Sequence, residues 1–230
     1  MKLSRLWYLE QFDLLNRLNK EEKMRLADST VMKSYEKNSF IGFTGEGKNY
    51  VYFLKKGVIK IGSLGPGEGE DIKYLLKAGS IFGELALVDK ENPNDLAVAL
   101  EDCLVCVIDV PTMKDMMEKN QKLNNEIFKI MGLRIKKLER RMESILFRDA
   151  KTRIIEFIAD FVQSFGQEEG DVFVVKNYLT HSDIAKLTAT SRQTVNAVLN
   201  ELRNSDLIDY NKKTIRIPRA HYRQTELVQP

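Results

Sequence analysis

From Gln121 to Arg148, apolar residues recur at helical period along two lines. Phe128, Met131, Ile135, Leu138, Met142 and Ile145 stand 3, 4, 3, 4 and 3 residues apart, the heptad spacing of a seam between two helices. Leu123, Ile127, Ile130 and Leu133 form a second line that covers only the first half of the stretch. The stretch therefore predicts one long helix, apolar on two sides at its start and on one side thereafter. Such a helix suits packing on its own domain along one line and pairing with a twin along the other. On pattern alone, a long core helix of a monomer is the alternative.

Before that helix the period changes from helical to two. Leu6, Leu9, Phe12, Leu15 and Leu18 recur at helical spacing, and Asn19-Lys-Glu-Glu22 reads as the capped start of a second short helix. From Lys33 onward short strands are predicted at Tyr50–Leu54, Val58–Ile61, Ile72–Leu76, Leu96–Leu100 and Leu104–Ile108. Glycine-rich turns divide them at Gly42 to Gly47, Lys55 to Gly57, Gly65 to Gly69 and Ala78-Gly79. Many short strands at regular spacing predict a small barrel, sandwich or roll. Pro111 followed by Thr112 to Met117 reads as a short helix closing it, since proline suits a first turn.

After the long helix, Asp149 can cap another, whose wide apolar face is Ile154, Ile155, Ile158, Phe161, Val162 and Phe165. Gly166 and the acidic turn Gln167 to Asp171 are expected to end it, with a short strand at Val172–Val175. Thr180-His-Ser-Asp183 is a capping-box-like start. Ile184, Leu187, Val195, Val198, Leu199 and Leu202 then supply a core, Ala185 permits a close helix crossing, and Ser191 caps a second helix. This is a helix-turn-helix pattern. Leu207-Ile208, the polar turn Asp209 to Lys213 and Thr214–Ile217 read as a two-stranded wing. The expected fold class is α+β, with an effector or sensor domain over residues 1–120, a dimerisation helix over 121–148 and a DNA-binding domain over 149–230.

Length and charge add bounds. At 230 residues the chain can bury two modest cores, and a net charge of +3 leaves any nucleic-acid partner to be argued locally. From His181 to Gln224, eight cations stand against four acids, a basic stretch over the helix-turn-helix and wing. Cys103 and Cys106 form C-x-x-C within an alternating apolar run, where residues three apart point to opposite faces of a strand. That is poor geometry for one metal, so buried structural cysteines in a reducing compartment are expected, with no metal site. No Ser/His/Asp set, metal cluster or acid pair converges, which argues against an enzyme. Glu10 and Asp13 interrupt the first apolar residues before a signal-peptide core forms, and no run approaches the roughly 20 apolar residues of a membrane span. A soluble, cytoplasmic protein with no membrane partner is expected.

Within the strand-rich region, Gly79-Ser-Ile-Phe-Gly-Glu-Leu-Ala-Leu87 resembles the phosphate-binding cassette of the cyclic-nucleotide-binding roll found in the Crp/Fnr family of bacterial transcription regulators. Tyr52 to Lys60 also resembles that roll, and Leu179 to Ile217 is similar to the family's winged helix-turn-helix, in the expected order. The resemblance covers roughly residues 35 to 217. It implies a homodimeric DNA-binding regulator acting on double-stranded DNA, with RNA polymerase as a further partner. In the family's cyclic-nucleotide binders, a glutamate takes the ribose hydroxyl and an arginine about ten residues on takes the phosphate. Glu84 matches the first, beside Gly83, Leu85 and Ala86; at the second stand Asn94 and Asp95, which offer no cation. Leu138 and Glu139 fall where cyclic-AMP-responsive members carry small hydroxylated residues that touch adenine. The resemblance thus implies a retained roll whose cyclic-nucleotide site is altered or lost, with no resident cofactor and an open effector; alternatively, Gly83 and Glu84 only shape the turn. A family iron–sulfur cluster or haem lacks its ligands here.

In the reader, the family contacts bases with the first residues of the second helix. Arg192 matches an arginine that binds guanine bidentately, Gln193 stands in place of a glutamate, and Ala197 in place of a second arginine. Asn196 lies on the same stretch, and Thr180, Ser191, Thr194, Lys212 and Lys213 are candidates for phosphate contacts. Ala189 stands where a turn glycine is common, and Gly132 inside the long helix reflects either close approach of the roll or simple tolerance. A ligand-binding regulatory module without DNA binding is the competing reading; it leaves residues 179–217 without a purpose.

Overall fold

The computed structural model describes residues 19–42, 44–45, 48–64, 70–88 and 95–221. The stretch Leu6 to Leu18, the turn Gly65 to Gly69 and Asn94 lie outside the described residues. The chain divides into two compact units, Met1–Lys136 and Lys137–Pro230.

The first unit opens with α1 (Lys20–Ser29), where the Asn19 side chain accepts from the Glu22 amide and Glu22 accepts from the Asn19 amide, a complete capping box. The strands β1 (Val31–Tyr35), β2 (Phe40–Ile41), β3 (Thr44–Gly45), β4 (Lys48–Lys56), β5 (Val58–Leu64), β6 (Glu70–Lys77) and β7 (Ile81–Phe82) follow, then a single 3-10 turn at Glu84–Leu87, and β8 (Asp95–Ala99) and β9 (Cys103–Asp109). One antiparallel sheet runs β1-β9-β4-β3 with β7 also on β4; the other runs β2-β8-β5-β6. All five predicted strands are present. β1, β2, β3 and β7 were not legible: three are two residues long, and in β1 only Met32 and Tyr35 are half-buried, three residues apart, so none shows the alternation that marks a half-buried strand.

Strict alternation on the two long strands of the first sheet builds two cores. Tyr52 and Leu54 of β4 and Cys103, Val105 and Val107 of β9 enter the roll interior with Ile59, Ile61, Phe82 and Ala97. Val51, Phe53, Cys106 and Ile108 turn to the other side and meet Leu26 of α1, Met113 of α2 (Val110–Lys119), and Leu123 and Ile127 of α3 (Gln121–Phe147). The two cysteines therefore sit in different cores, both free thiols. Asp109 caps α2 through the Thr112 amide at 2.9 Å. Asn120 caps α3 through the Leu123 amide at 3.0 Å.

Along α3 the two predicted lines behave differently. Leu123 and Ile127 are buried and Ile130 packs against them, whereas Leu133 is exposed. The line continues instead through Arg134, one residue on, because a helical line can step by three or by four and a buried carboxylate lies at the second position. The heptad line stays open: Phe128, Ile135, Leu138, Met142 and Ile145 are exposed, and Met131 is half-buried. A Cβ built on Gly132 meets nothing within 4 Å, so the roll does not approach it.

The second unit carries α4 (Ala150–Phe165), β10 (Gln167–Glu169), β11 (Val172–Lys176), α5 (His181–Thr188), α6 (Arg192–Asn204), β12 (Asp209–Tyr210) and β13 (Thr214–Pro218). Asp149 caps α4 by accepting from the Thr152 amide. The amide and the hydroxyl of Thr152 hold its carboxyl below the ordinary aspartate value. Ile154, Ile158, Phe161 and Val162 of α4 are buried, as are Ile184, Leu187, Val195, Val198, Leu199 and Leu202 of the two later helices. Two expectations need correction. The acidic turn after Gly166 is an exposed edge strand paired with β11, unreadable because no residue of it faces a core. The two wing strands are present but belong to a four-stranded sheet, β10-β11-β13-β12, the first of them beginning at Asp209 rather than Leu207 and the turn narrowing to Asn211 to Lys213. Ile208 serves the core instead.

Candidate nucleic-acid interface and effector pocket

The helix-turn-helix is built by side chains that satisfy their own backbone. The Thr180 hydroxyl accepts from the Asp183 amide at 3.1 Å and donates to the Asp183 carboxylate at 2.7 Å, while that carboxylate accepts from the Thr180 amide. The Ser191 hydroxyl accepts from the Thr194 amide at 3.0 Å and shares a 2.8 Å bond with the Thr194 hydroxyl. The first duty of Thr180, Ser191 and Thr194 is thus to cap α5 and α6. Between the helices Ala189 adopts φ 50° and ψ 48°, a left-handed conformation that glycine enters more easily.

On α6, Val195, Val198, Leu199 and Leu202 turn inward, which leaves Arg192, Gln193, Asn196 and Ala197 on the exposed side. Among the described residues, Arg192, Gln193 and Asn196 make no side-chain hydrogen bond within the protein. Their donors and acceptors face water, as a base-reading surface requires. The wing turn is set by Asn211, whose side-chain oxygen accepts from the amides of Lys213 (2.8 Å) and Thr214 (2.9 Å), leaving Lys212 and Lys213 exposed at its tip. Asn177 ties the wing to the start of α5: its amide donates to the Asn211 carbonyl at 3.0 Å and to the Tyr210 hydroxyl at 3.1 Å. His181 packs on Tyr210 with ring centroids 5.4 Å apart. Burial and then the nearby Arg192 charge push its imidazole below the ordinary histidine value. Asn177 and His181 were missed because their roles depend on strands brought together only in the fold.

In the first unit, the residues expected at the effector site are dispersed in function. Gly83 takes φ 75°, the left-handed turn that opens the 3-10 turn. Glu84 is fully buried and ion-pairs with Arg134 of α3. The same guanidinium donates to the Ile81 carbonyl at 2.7 Å and lies 4.9 Å from the Tyr74 ring centroid. Leu85 is exposed, whereas Ala86 packs into the helix-side core and not the roll interior. Asp95 is held by Lys73, a cation on β6 at the bulge where the β5–β6 register shifts. Leu138 and Glu139 are exposed on the part of α3 that belongs to the second unit. Arg134 is the residue that sequence reasoning missed. It stands 4 residues after Ile130 on the buried line of the helix, where a charge breaks the apolar pattern that marks burial.

Among the described residues no helix is long and apolar enough to cross a membrane. A cyclic nucleotide-binding domain model matches residues 32–120, and a Crp-like helix-turn-helix domain model matches residues 152–222. The chain is 28% identical to a global nitrogen regulator from Nostoc sp., over 81% of its own length and 85% of that protein. It is 23% identical to a CRP-like cAMP-activated global transcriptional regulator from Mycobacterium tuberculosis, over 75% of its own length and 77% of that protein. Among solved structures, a CooA mutant from Carboxydothermus hydrogenoformans superposes with a TM-score of 0.71 at 19% identity, covering 95% of this chain and 94% of that one.

Proposed function

The chain belongs to the Crp/Fnr family of transcription regulators, and from that premise we propose that it works as a homodimer on a near-palindromic promoter site without using cyclic AMP. DNA binding through the helix-turn-helix follows from the family. The dimer is supported by the open heptad line of α3, since a row of large apolar side chains in water marks a surface that a partner covers. A two-fold dimer would set its two α6 helices in successive major grooves, about 34–36 Å apart. Arg192 and Gln193 are then the base readers, with Asn196 beside them. Thr180, Ser191, Thr194, Lys212 and Lys213 lie where phosphate contacts would position the reader. Glutamine pairs well with adenine, where glutamate accepts from cytosine, so the operator differs from the standard family site. RNA polymerase is the further partner that promoter binding implies.

One observation carries the effector reading: Glu84, the residue matching the ribose contact, is buried and neutralised by the chain's own Arg134. A carboxylate whose charge is already balanced by a guanidinium offers a ribose hydroxyl a weaker acceptor. Asp95, where a phosphate-facing side chain is wanted, brings a negative charge held by Lys73. Leu138 and Glu139 cannot offer the hydroxyls that touch adenine in cyclic-AMP-responsive members. Selection of bound duplexes from a random pool, with and without cyclic AMP, tests the whole reading. A two-fold-symmetric site recovered equally in both arms is the expected result. Recovery only with cyclic AMP, together with micromolar calorimetric binding lost in Glu84→Ala, would refute the effector claim. An asymmetric single half-site would refute the dimer.

A further inference from the structure

The last turn of any α-helix leaves carbonyls without backbone partners, and the electrostatics of a helix C-terminus favour a cation there. At the end of α5 that cation is Arg153, from the first turns of α4. Its Nε donates to the Thr188 carbonyl at 2.8 Å and one Nη to the Ala189 carbonyl at 3.0 Å. The other Nη donates to the Arg148 carbonyl at 2.8 Å, on the residue that directly follows α3. A second guanidinium, that of Arg141 on α3, reaches the Lys186 carbonyl at 3.2 Å on the same helix end.

Three acceptors around one planar fork are geometry that only arginine satisfies, because lysine presents a single ammonium and cannot span them. Two of the three acceptors lie where α5 ends and the turn that launches α6 begins, Thr188 on the helix and Ala189 as its cap. Ala189, held in the left-handed region without being glycine, is one of them, so its carbonyl points where the guanidinium can take it. Two residues later Ser191 caps α6, and Arg192 and Gln193 follow at once. A small rotation at Thr188 or Ala189 therefore swings the whole reading edge.

We infer that Arg153 is a positioning residue of the DNA reader: by clamping the helix-turn-helix turn to the peptide that leaves the long helix, it sets the pose in which Arg192 and Gln193 meet the bases. It touches no DNA itself. The inference rests on the DNA-reading function proposed above and adds the element that orients it.

Full-length Arg153→Lys and Arg153→Gln variants test it, with a duplex recovered by the selection as probe and circular dichroism establishing that each variant is folded at the assay temperature. Operator affinity should fall tenfold or more in both, while affinity for random duplex and the salt slope stay at wild-type values. Amide exchange at Thr190 and Thr194 should accelerate in the free protein. Operator affinity within twofold of wild type in folded Arg153→Lys would overturn the inference. So would a salt slope shallower by about 0.9, which marks a direct phosphate contact, or unchanged exchange at the turn. If the wild-type chain selects no duplex, the function proposed above fails, and the exchange rates still decide for or against the clamp.

Discussion

Individual side chains divide into those whose neighbours are local and those whose neighbours are not. Arg192 belongs to the first kind: it follows the capping Ser191 on an exposed helix face. Arg192→Ala should weaken binding to the selected operator by about 1–3 kcal/mol and leave random-duplex affinity unchanged. Gel shifts on the two probes measure this, and equal losses on both would remove Arg192 from the base readers. Lys55 belongs to the second kind. It is 5% exposed, at the bulge where the β4–β9 register shifts between Leu54 and Lys56. Burial lowers its ammonium from 10.5 to about 8, with Cys106 acting in the opposite sense. Between those two pH values the unfolded chain holds a proton that the folded chain has released, so this lysine makes stability rise with pH there. Below pH 8 its buried charge costs the fold about 1–3 kcal/mol. Lys55→Met should raise the unfolding free energy by that amount at pH 7 and remove the rise. Denaturant titrations of both proteins across this range decide it, and the comparison cancels other titrations, such as that of Cys103, whose thiol burial pushes up. Parallel pH profiles would count against the assignment.

Among the elements, α3 is the one whose two faces obey different rules. Its buried line serves the first unit and was readable as far as Ile130, because apolar periodicity reports burial. It became unreadable at Arg134, because a buried charge breaks the apolar pattern and its partner Glu84 lies 50 residues away in sequence. The exposed line carries Leu138 at 61% and Met142 at 64% exposure, so the protomer's own core does not cover it. Met142→Asp should therefore convert the proposed dimer to monomer in sedimentation at micromolar concentration while leaving helical content intact. A dimer that survives the substitution would place the interface elsewhere. Gly132 sits free of the roll, so alanine there gains helix propensity without a clash in the protomer. Gly132→Ala should raise thermal stability by about 1 kcal/mol; a loss of stability that comes with weaker self-association would instead mean that the partner helix approaches there.

For the molecule as a whole, the proposed dimer links two readers through one two-fold axis, so half-site spacing becomes a measurable consequence. Inserting about 5 base pairs, half a helical turn, between the half-sites should reduce affinity to that of one half-site. Undiminished binding would mean that the readers act independently. At this scale the sequence alone determined the fold class, the order of roll, helix and reader, the caps at Asn19, Asp149, Thr180 and Ser191, and the opposite-facing cysteines. All of these rest on interactions within a few residues or on a strict period, and such information is written locally. Only the tertiary structure decided that Arg134 neutralises Glu84, that Lys73 holds Asp95, that Arg153 bonds the carbonyl of Thr188 at the end of α5, and that two further strands complete the wing sheet. Each is a polar or charged contact, or an exposed edge, between segments distant along the chain. A buried charge is stable only beside its partner, and no periodicity along a sequence says which distant residue that partner will be. The long helix was legible as a seam, but its role as the arm that carries Arg134 into the first unit emerged from packing alone.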